Sequence, residues 1–126
     1  FKNKIAIVTG RGFESIKYSL KSLLNEFDTK NSLFLEDESR DLAKPNPESL
    51  IRVIKGINSQ HCLYVGDSME DLLMAQNATK MGFKTTFCGI TGTSKDPIQK
   101  QKIFENNKVQ IILKSIHDIP KKLNLS

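Results

Sequence analysis

Short apolar runs alternating with stretches of helical periodicity predict an α/β fold, a Rossmann-like three-layer arrangement in which a parallel sheet carries helices on both faces. Two of the runs, Lys4 to Val8 and Cys62 to Val65, are uninterrupted rather than alternating, as strands covered on both sides require. With 126 residues and 38% hydrophobic content, the chain fits one domain with a core of ordinary size.

Lys4 to Val8 is the first strand, closed by Thr9-Gly10. Ile16, Leu20, Leu23, Leu24 and Phe27 then recur at helical spacing. Leu33 to Leu35 gives a second strand. Leu50, Ile51, Ile54 and Ile57 form the stripe of a second helix, for which Asn46 suits the N-cap and Pro47 the first position. Cys62 to Val65 is the third strand, and Ser68 to Asn77 a third helix with Met69, Leu72, Leu73 and Gln76 three and four apart. Phe83 to Cys88 is a fourth strand, followed by a glycine-rich turn over Gly89 to Gly92. A short helix near Pro97 to Glu105, a fifth strand over Val109 to Leu113 and a last helix through Leu123 complete the pattern, with Ser115 and Asp118 as the last helix's capping box. No repeats, low-complexity tracts or linkers interrupt it.

Composition narrows the function classes. No stretch approaches the roughly 20 apolar residues of a membrane span, and no secretory leader is legible, so a cytoplasmic protein is expected. The balance of 19 Lys+Arg against 14 Asp+Glu gives +5, but the positive residues are scattered and there is no Trp. Such a field favours small anionic substrates over nucleic acid, which calls for a dense basic stripe with stacking aromatics. Cys62 and Cys88 stand apart and read as reduced core thiols.

In open parallel sheets, ligands bind beyond the carboxyl ends of the strands. Thr9, Gly10 and Arg11, Glu36 to Glu38, and Gly66, Asp67 and Ser68 meet that criterion and form one polar rim. Asp67 and Asp71, four apart at a helix start, can face the strand ends together, and hard carboxylate oxygens suit Mg²⁺. Helix capping is the commoner reason for an aspartate at this position, since capping carboxylates far outnumber metal ligands. Thr9 and Gly10 can offer a hydroxyl and an N–H to a phosphate at a helix mouth, or form a plain turn. Lys44, between Ala43 and the Pro45-Asn46-Pro47 stretch, is either a phosphate-neutralising cation or a surface lysine. Gly89 to Lys95 lacks the spacing of a phosphate loop and reads as a flexible turn. His61 and His117 have no serine or cysteine elbow to serve.

The stretches Ile7-Val8-Thr9-Gly10-Arg11, Lys44-Pro45-Asn46-Pro47-Glu48 and Val65-Gly66-Asp67-Ser68-Met69-Glu70-Asp71 resemble, in order, the second, third and fourth motifs of haloacid dehalogenase superfamily phosphatases. The resemblance runs the length of the chain, so that residues 1–126 form one partial core domain. It is similar to the subfamily with a small helical cap, including phosphoglycolate-phosphatase-like members. The resemblance implies that Thr9 and Gly10 bind the transferring phosphate, that Lys44 steadies it and the nucleophile, and that Asp67 ligates Mg²⁺. Asp71 would support the metal or pair with the lysine, and Ser68 would hydrogen-bond nearby.

The family's first motif, an Asp-x-Asp strand carrying the nucleophile, has no counterpart, since Phe1 to Val8 contains no carboxylate. The expectation is a fragment of a longer chain, the missing segment being absent or a separate polypeptide. In the family's sheet that strand lies between those matching Lys4 to Val8 and Cys62 to Val65, so its loss leaves a gap of about 10 Å, two strand spacings. The implied activity is phosphate-ester hydrolysis through an aspartyl-phosphate, on a small phosphorylated metabolite, with this fragment inert alone. The alternatives are a non-catalytic phosphate- or partner-binding module, and mutase or dehalogenase chemistry on the same fold. A helix ending in Asn77-Ala78-Thr79-Lys80-Met81-Gly82 instead of the family's shorter Asn-Ala-Gly is a further departure, expected to lengthen that helix.

Overall fold

A computed structural model describes residues 5–122. Along the chain run β1 (Val8–Thr9), α1 (Phe13–Leu20), β2 (Leu33–Phe34), α2 (Glu48–Gly56), β3 (Cys62–Gly66), α3 (Met69–Lys80), β4 (Thr85–Ile90), α4 (Pro97–Asn106), β5 (Ile111–Leu113) and α5 (Ile119–Lys122). Among the described residues all pairings are parallel, and they divide the strands into two sheets, β1–β2 and β3–β4–β5. Among the described residues no ladder joins β1 to β3, so the direct pairing that would have excluded a gap between them is absent.

Period-two alternation sends neighbouring side chains to opposite faces. Tyr64 and Phe87 meet Leu50, Ile51 and Ile54 of α2, Leu72, Met74, Ala75 and Ala78 of α3, and Phe104 of α4 in the main core. The ring of Phe104 stands edge-on to Phe87 with centroids 5.7 Å apart, a preferred aromatic geometry. Leu63, Cys88, Ile111 and Leu113 take the other face against Ile119 of α5. The same division holds at β1. Val8 packs on the main core, while Ile7 joins a second cluster of Ile16, Leu24 and Phe34 beneath α1. Helices α2, α3 and α4 thus cover one side, and α1 and α5 the other.

Element boundaries move for identifiable reasons. The first strand shrinks to Val8–Thr9 because the Ile7 N–H donates to the Ser32 hydroxyl instead of a strand carbonyl; Lys4 lies outside the described residues. Leu35 leaves β2 for a 3₁₀ turn over Leu35–Asp37. The first helix stops at Leu20 because Lys21 adopts φ 51°, and a 3₁₀ segment over Lys21–Glu26 continues in its place. Helix α2 starts one residue later than expected, at Glu48 with Pro47 as N-cap; Asn46, one position further out, still accepts the Glu48 N–H. Helix α3 runs on to Lys80, as its extended ending implies, and the Phe83 N–H closes it on the Ala78 carbonyl. Phe83 therefore belongs to a turn, and β4 starts at Thr85. It also reaches Ile90, because Gly89 and Ile90 pair with Ile112 and Leu113. The Ser115–Asp118 capping box forms, over a 3₁₀ turn followed by α5; Leu123 lies outside the described residues.

Both cysteines are free. Cys88 is buried, and burial pushes the Cys62 thiol up to about 11. Among the described residues no helix is long and apolar enough to cross a membrane.

Candidate active site

Strand β3 delivers Gly66-Asp67-Ser68 to the carboxyl edge of its sheet, and α3 starts immediately after. Gly66 is required by the close approach of that helix, since a Cβ there would lie 2.6 Å from Asp71 Oδ2 and 2.7 Å from Asp71 Cβ. Ser68 is the N-cap, its hydroxyl accepting the Asp71 N–H at 3.1 Å. Asp67 itself is exposed. Its Oδ2 accepts a hydrogen bond from the Thr93 hydroxyl at 2.9 Å, while Oδ1 carries none among the described residues. A hard anionic oxygen is thus available at the strand end, the donor type Mg²⁺ takes one or two of.

Asp71 is engaged differently. Lys44 Nζ donates to its Oδ1 at 2.5 Å, and the Tyr64 hydroxyl donates to the same oxygen at 3.1 Å. The side chains of Lys44 and Asp71 are only 19% and 7% exposed, so this is an ion pair largely out of water. Burial pushes the Asp71 carboxyl up, but the hydrogen bond and charge of Lys44, with Ser68 and Tyr64, outweigh it and hold the group below the usual carboxylate range. Burial, and then the charge of Asp71, push the Tyr64 phenol above its ordinary value. Lys44 also lies 5.9 Å from the centre of the Tyr64 ring, within cation–π range. Its ammonium is therefore directed by two contacts, the Asp71 carboxylate and the Tyr64 ring, rather than left on a mobile stem.

Thr9 ends β1 on the other sheet. It is half-buried, Gly10 after it is exposed, and the Thr9 hydroxyl accepts the Arg11 N–H at 3.2 Å. The mouth of α1 is already furnished with anions: Gly12 N–H donates to Glu36 at 3.0 Å and Phe13 N–H to Asp37 at 2.8 Å. Carboxylates from the turn after β2 thus occupy donors of the kind that bind phosphate at a helix start. No hydrogen bond or ion pair links Thr9 or Gly10 to Lys44, Asp67 or Asp71 among the described residues. The structure joins Lys44 to Asp71 directly and places Asp67 and Asp71 on one cavity of about 580 Å³ at the ends of β3, β4 and β5. Among the described residues no group of three or more His, Cys, Asp or Glu side chains could enclose a metal alone.

A family model for haloacid dehalogenase-like hydrolases matches residues 2–79. The chain belongs to this family. The match spans β1 to the last turn of α3, so it takes in Thr9, Gly10, Lys44, Asp67 and Asp71, while β4 and β5 lie beyond it. No curated protein and no solved structure matches the chain. Membership makes the chain a hydrolase at the level of the superfamily, on the parallel α/β architecture observed.

Two residues of the site escape a reading of the sequence. Tyr64 looks like one more apolar strand residue, although a hydroxyl-bearing ring two positions before Gly66, on the same strand face, needs a polar partner. Thr93 sits in a segment read as a loose turn, and nothing local announces its contact with Asp67.

Proposed function

We propose that this chain forms the phosphate- and cation-binding part of a Mg²⁺-dependent phosphate-ester hydrolase. The observation that carries the reading is the fixed Lys44–Asp71 pair beside the exposed carboxylate of Asp67, because it sets one directed positive charge next to one hard anionic donor. In this reading Lys44 neutralises charge on the transferring phosphate, and Asp71 acts through Lys44 as its positioning partner. Thr9 and Gly10 supply a hydroxyl and an N–H to the phosphate from the other sheet. Asp67 would hold Mg²⁺, which when bound supplies charge neutralisation to the phosphoryl oxygens. The nucleophilic aspartate, and with it the aspartyl-phosphate, belongs to a segment outside residues 1–126. The substrate class is a small phosphorylated metabolite, in keeping with the net charge of +5.

The test is hydrolysis of a generic aryl phosphate by the protein carrying that upstream segment. Activity should require Mg²⁺ and fall about 100-fold or more in Asp67→Ala, the scale of losing one preorganised charge-stabilising group. Equal turnover in wild type and Asp67→Ala would remove the metal assignment. Phosphate binding with no turnover, with the segment present, would leave a non-catalytic binding module instead.

A further inference from the structure

We propose that Thr93 is a positioning residue for the cation site, fixing the plane of the Asp67 carboxylate through its hydroxyl; this rests on the reading of Asp67 as a Mg²⁺ ligand. Glycines and small polar residues from Gly89 to Lys95 suggest a mobile turn. The structure pins it instead. Gly89 and Ile90 belong to β4, and beyond the strand the pairing with the β5 side continues: Thr91 N–H donates to the Leu113 carbonyl and Gly92 N–H to the Lys114 carbonyl, both at 2.9 Å. A Cβ at Gly92 would collide with the Lys114 carbonyl, so this approach is open to glycine alone. Thr91 is buried, and Ser94 N–H closes a turn on its carbonyl at 3.1 Å.

Thr93 is thus held between two fixed points when its hydroxyl reaches Asp67 Oδ2. An exposed aspartate on its own samples several rotamers, and a hydrogen bond to one oxygen selects among them while leaving the other oxygen for a cation. Outer partners of metal-binding carboxylates commonly act in this way, and their loss costs metal affinity. The contact spans 26 positions and originates outside the residues that the family model covers. It brings the β4–β5 edge into the cation site.

The experiment is calorimetric titration of Mg²⁺ into the protein, for wild type, Thr93→Val, Thr93→Ser and Asp67→Asn. Thr93→Val, close in shape but without the donor, should bind Mg²⁺ about 10-fold more weakly or worse. Thr93→Ser should recover most of the loss, which a packing role for the threonine methyl would not produce. Wild-type affinity in Thr93→Val, or equal weakness in both Thr93 variants, would overturn the assignment. Undiminished binding in Asp67→Asn is a different result: it removes Asp67 from the cation site and refutes the parent reading together with this one.

Discussion

Lys44 and Asp71 are unequal members of their pair, because the lysine side chain is 19% exposed and the aspartate 7%. Removing Lys44 strands a carboxylate among Tyr64, Ser68 and the main core. Removing the charge of Asp71 leaves an ammonium that can turn toward water. Breaking a buried pair from the side that leaves the charge uncompensated costs about 3–5 kcal/mol, and the residual exposure of Lys44 places Lys44→Met at about 3 kcal/mol. Asp71→Asn should cost clearly less, and urea midpoints for both variants check the order; equal costs would show that Asp71 is better solvated than its neighbours imply. The pH dependence has a definite sign. In the wild type the Asp71 carboxyl is lowered in the folded state, so its stabilising contribution is complete above the unfolded value of about 3.9 and is lost as pH falls through the folded value. In Lys44→Met the remaining dominant influence is burial, which raises the carboxyl and favours its neutral form. The stability deficit of that variant should therefore be largest near neutrality, narrow as the pH approaches about 4, and close only as the pH falls on through the lowered folded value of the wild-type carboxyl.

Helix α3 shows which features of an element can be read locally. Asp71 in the first turn and the apolar spacing are written in consecutive residues, so the helix and that carboxylate were legible, although the capping read there for an aspartate falls to Ser68. Its neighbours were less so. Phe83 and Val109 are as apolar as the strands they precede, but their N–H groups close helices on the Ala78 and Phe104 carbonyls, and only the folded chain shows that choice. Thr93 and Tyr64 reach the site through the register of β3 beside β4 and through strand-face alternation, neither of which a motif records. Two substitutions separate the contributions at this junction. Ser68→Ala removes the cap and should cost about 1 kcal/mol. Gly66→Ala inserts a methyl group 2.6 Å from an Asp71 oxygen, so it must displace the helix start and should cost about 1–3 kcal/mol by overpacking. Denaturant titration of the two variants reads both values, and a Gly66→Ala protein as stable as wild type would mean that the strand and helix ends are not locked together.

The described residues of the molecule are built on two unequal clusters. The larger gathers β3, β4, α2, α3 and α4 around ten buried side chains, whereas Ile16, Leu24 and Phe34 are the buried members of the cluster under α1. The sheets are unequal in the same sense: β1 and β2 share a ladder of two residue pairs, and β3 and β4 share five. Opening free energies follow buried apolar contact and protected backbone hydrogen bonds, so the region of residues 5–37 should open before the rest. What ties it to the main body is Val8, which packs on the larger core, and Asn31, whose side chain lies against Gly56 of α2, rather than a continuous ladder from β1 to β3. Native-state hydrogen exchange read by amide resonances should show Leu33 and Phe34 exchanging through sub-global openings, with Tyr64 and Phe87 exchanging only in the global transition. The same free energy at all four amides would mean that Val8 and α2 couple the sheets into one cooperative unit. If the nucleophile-bearing segment proposed above enters as a strand between β1 and β3, it makes that coupling direct, so supplying it should raise protection at Leu33 and Phe34 far more than at Phe87, whose strand already has a neighbour on each side.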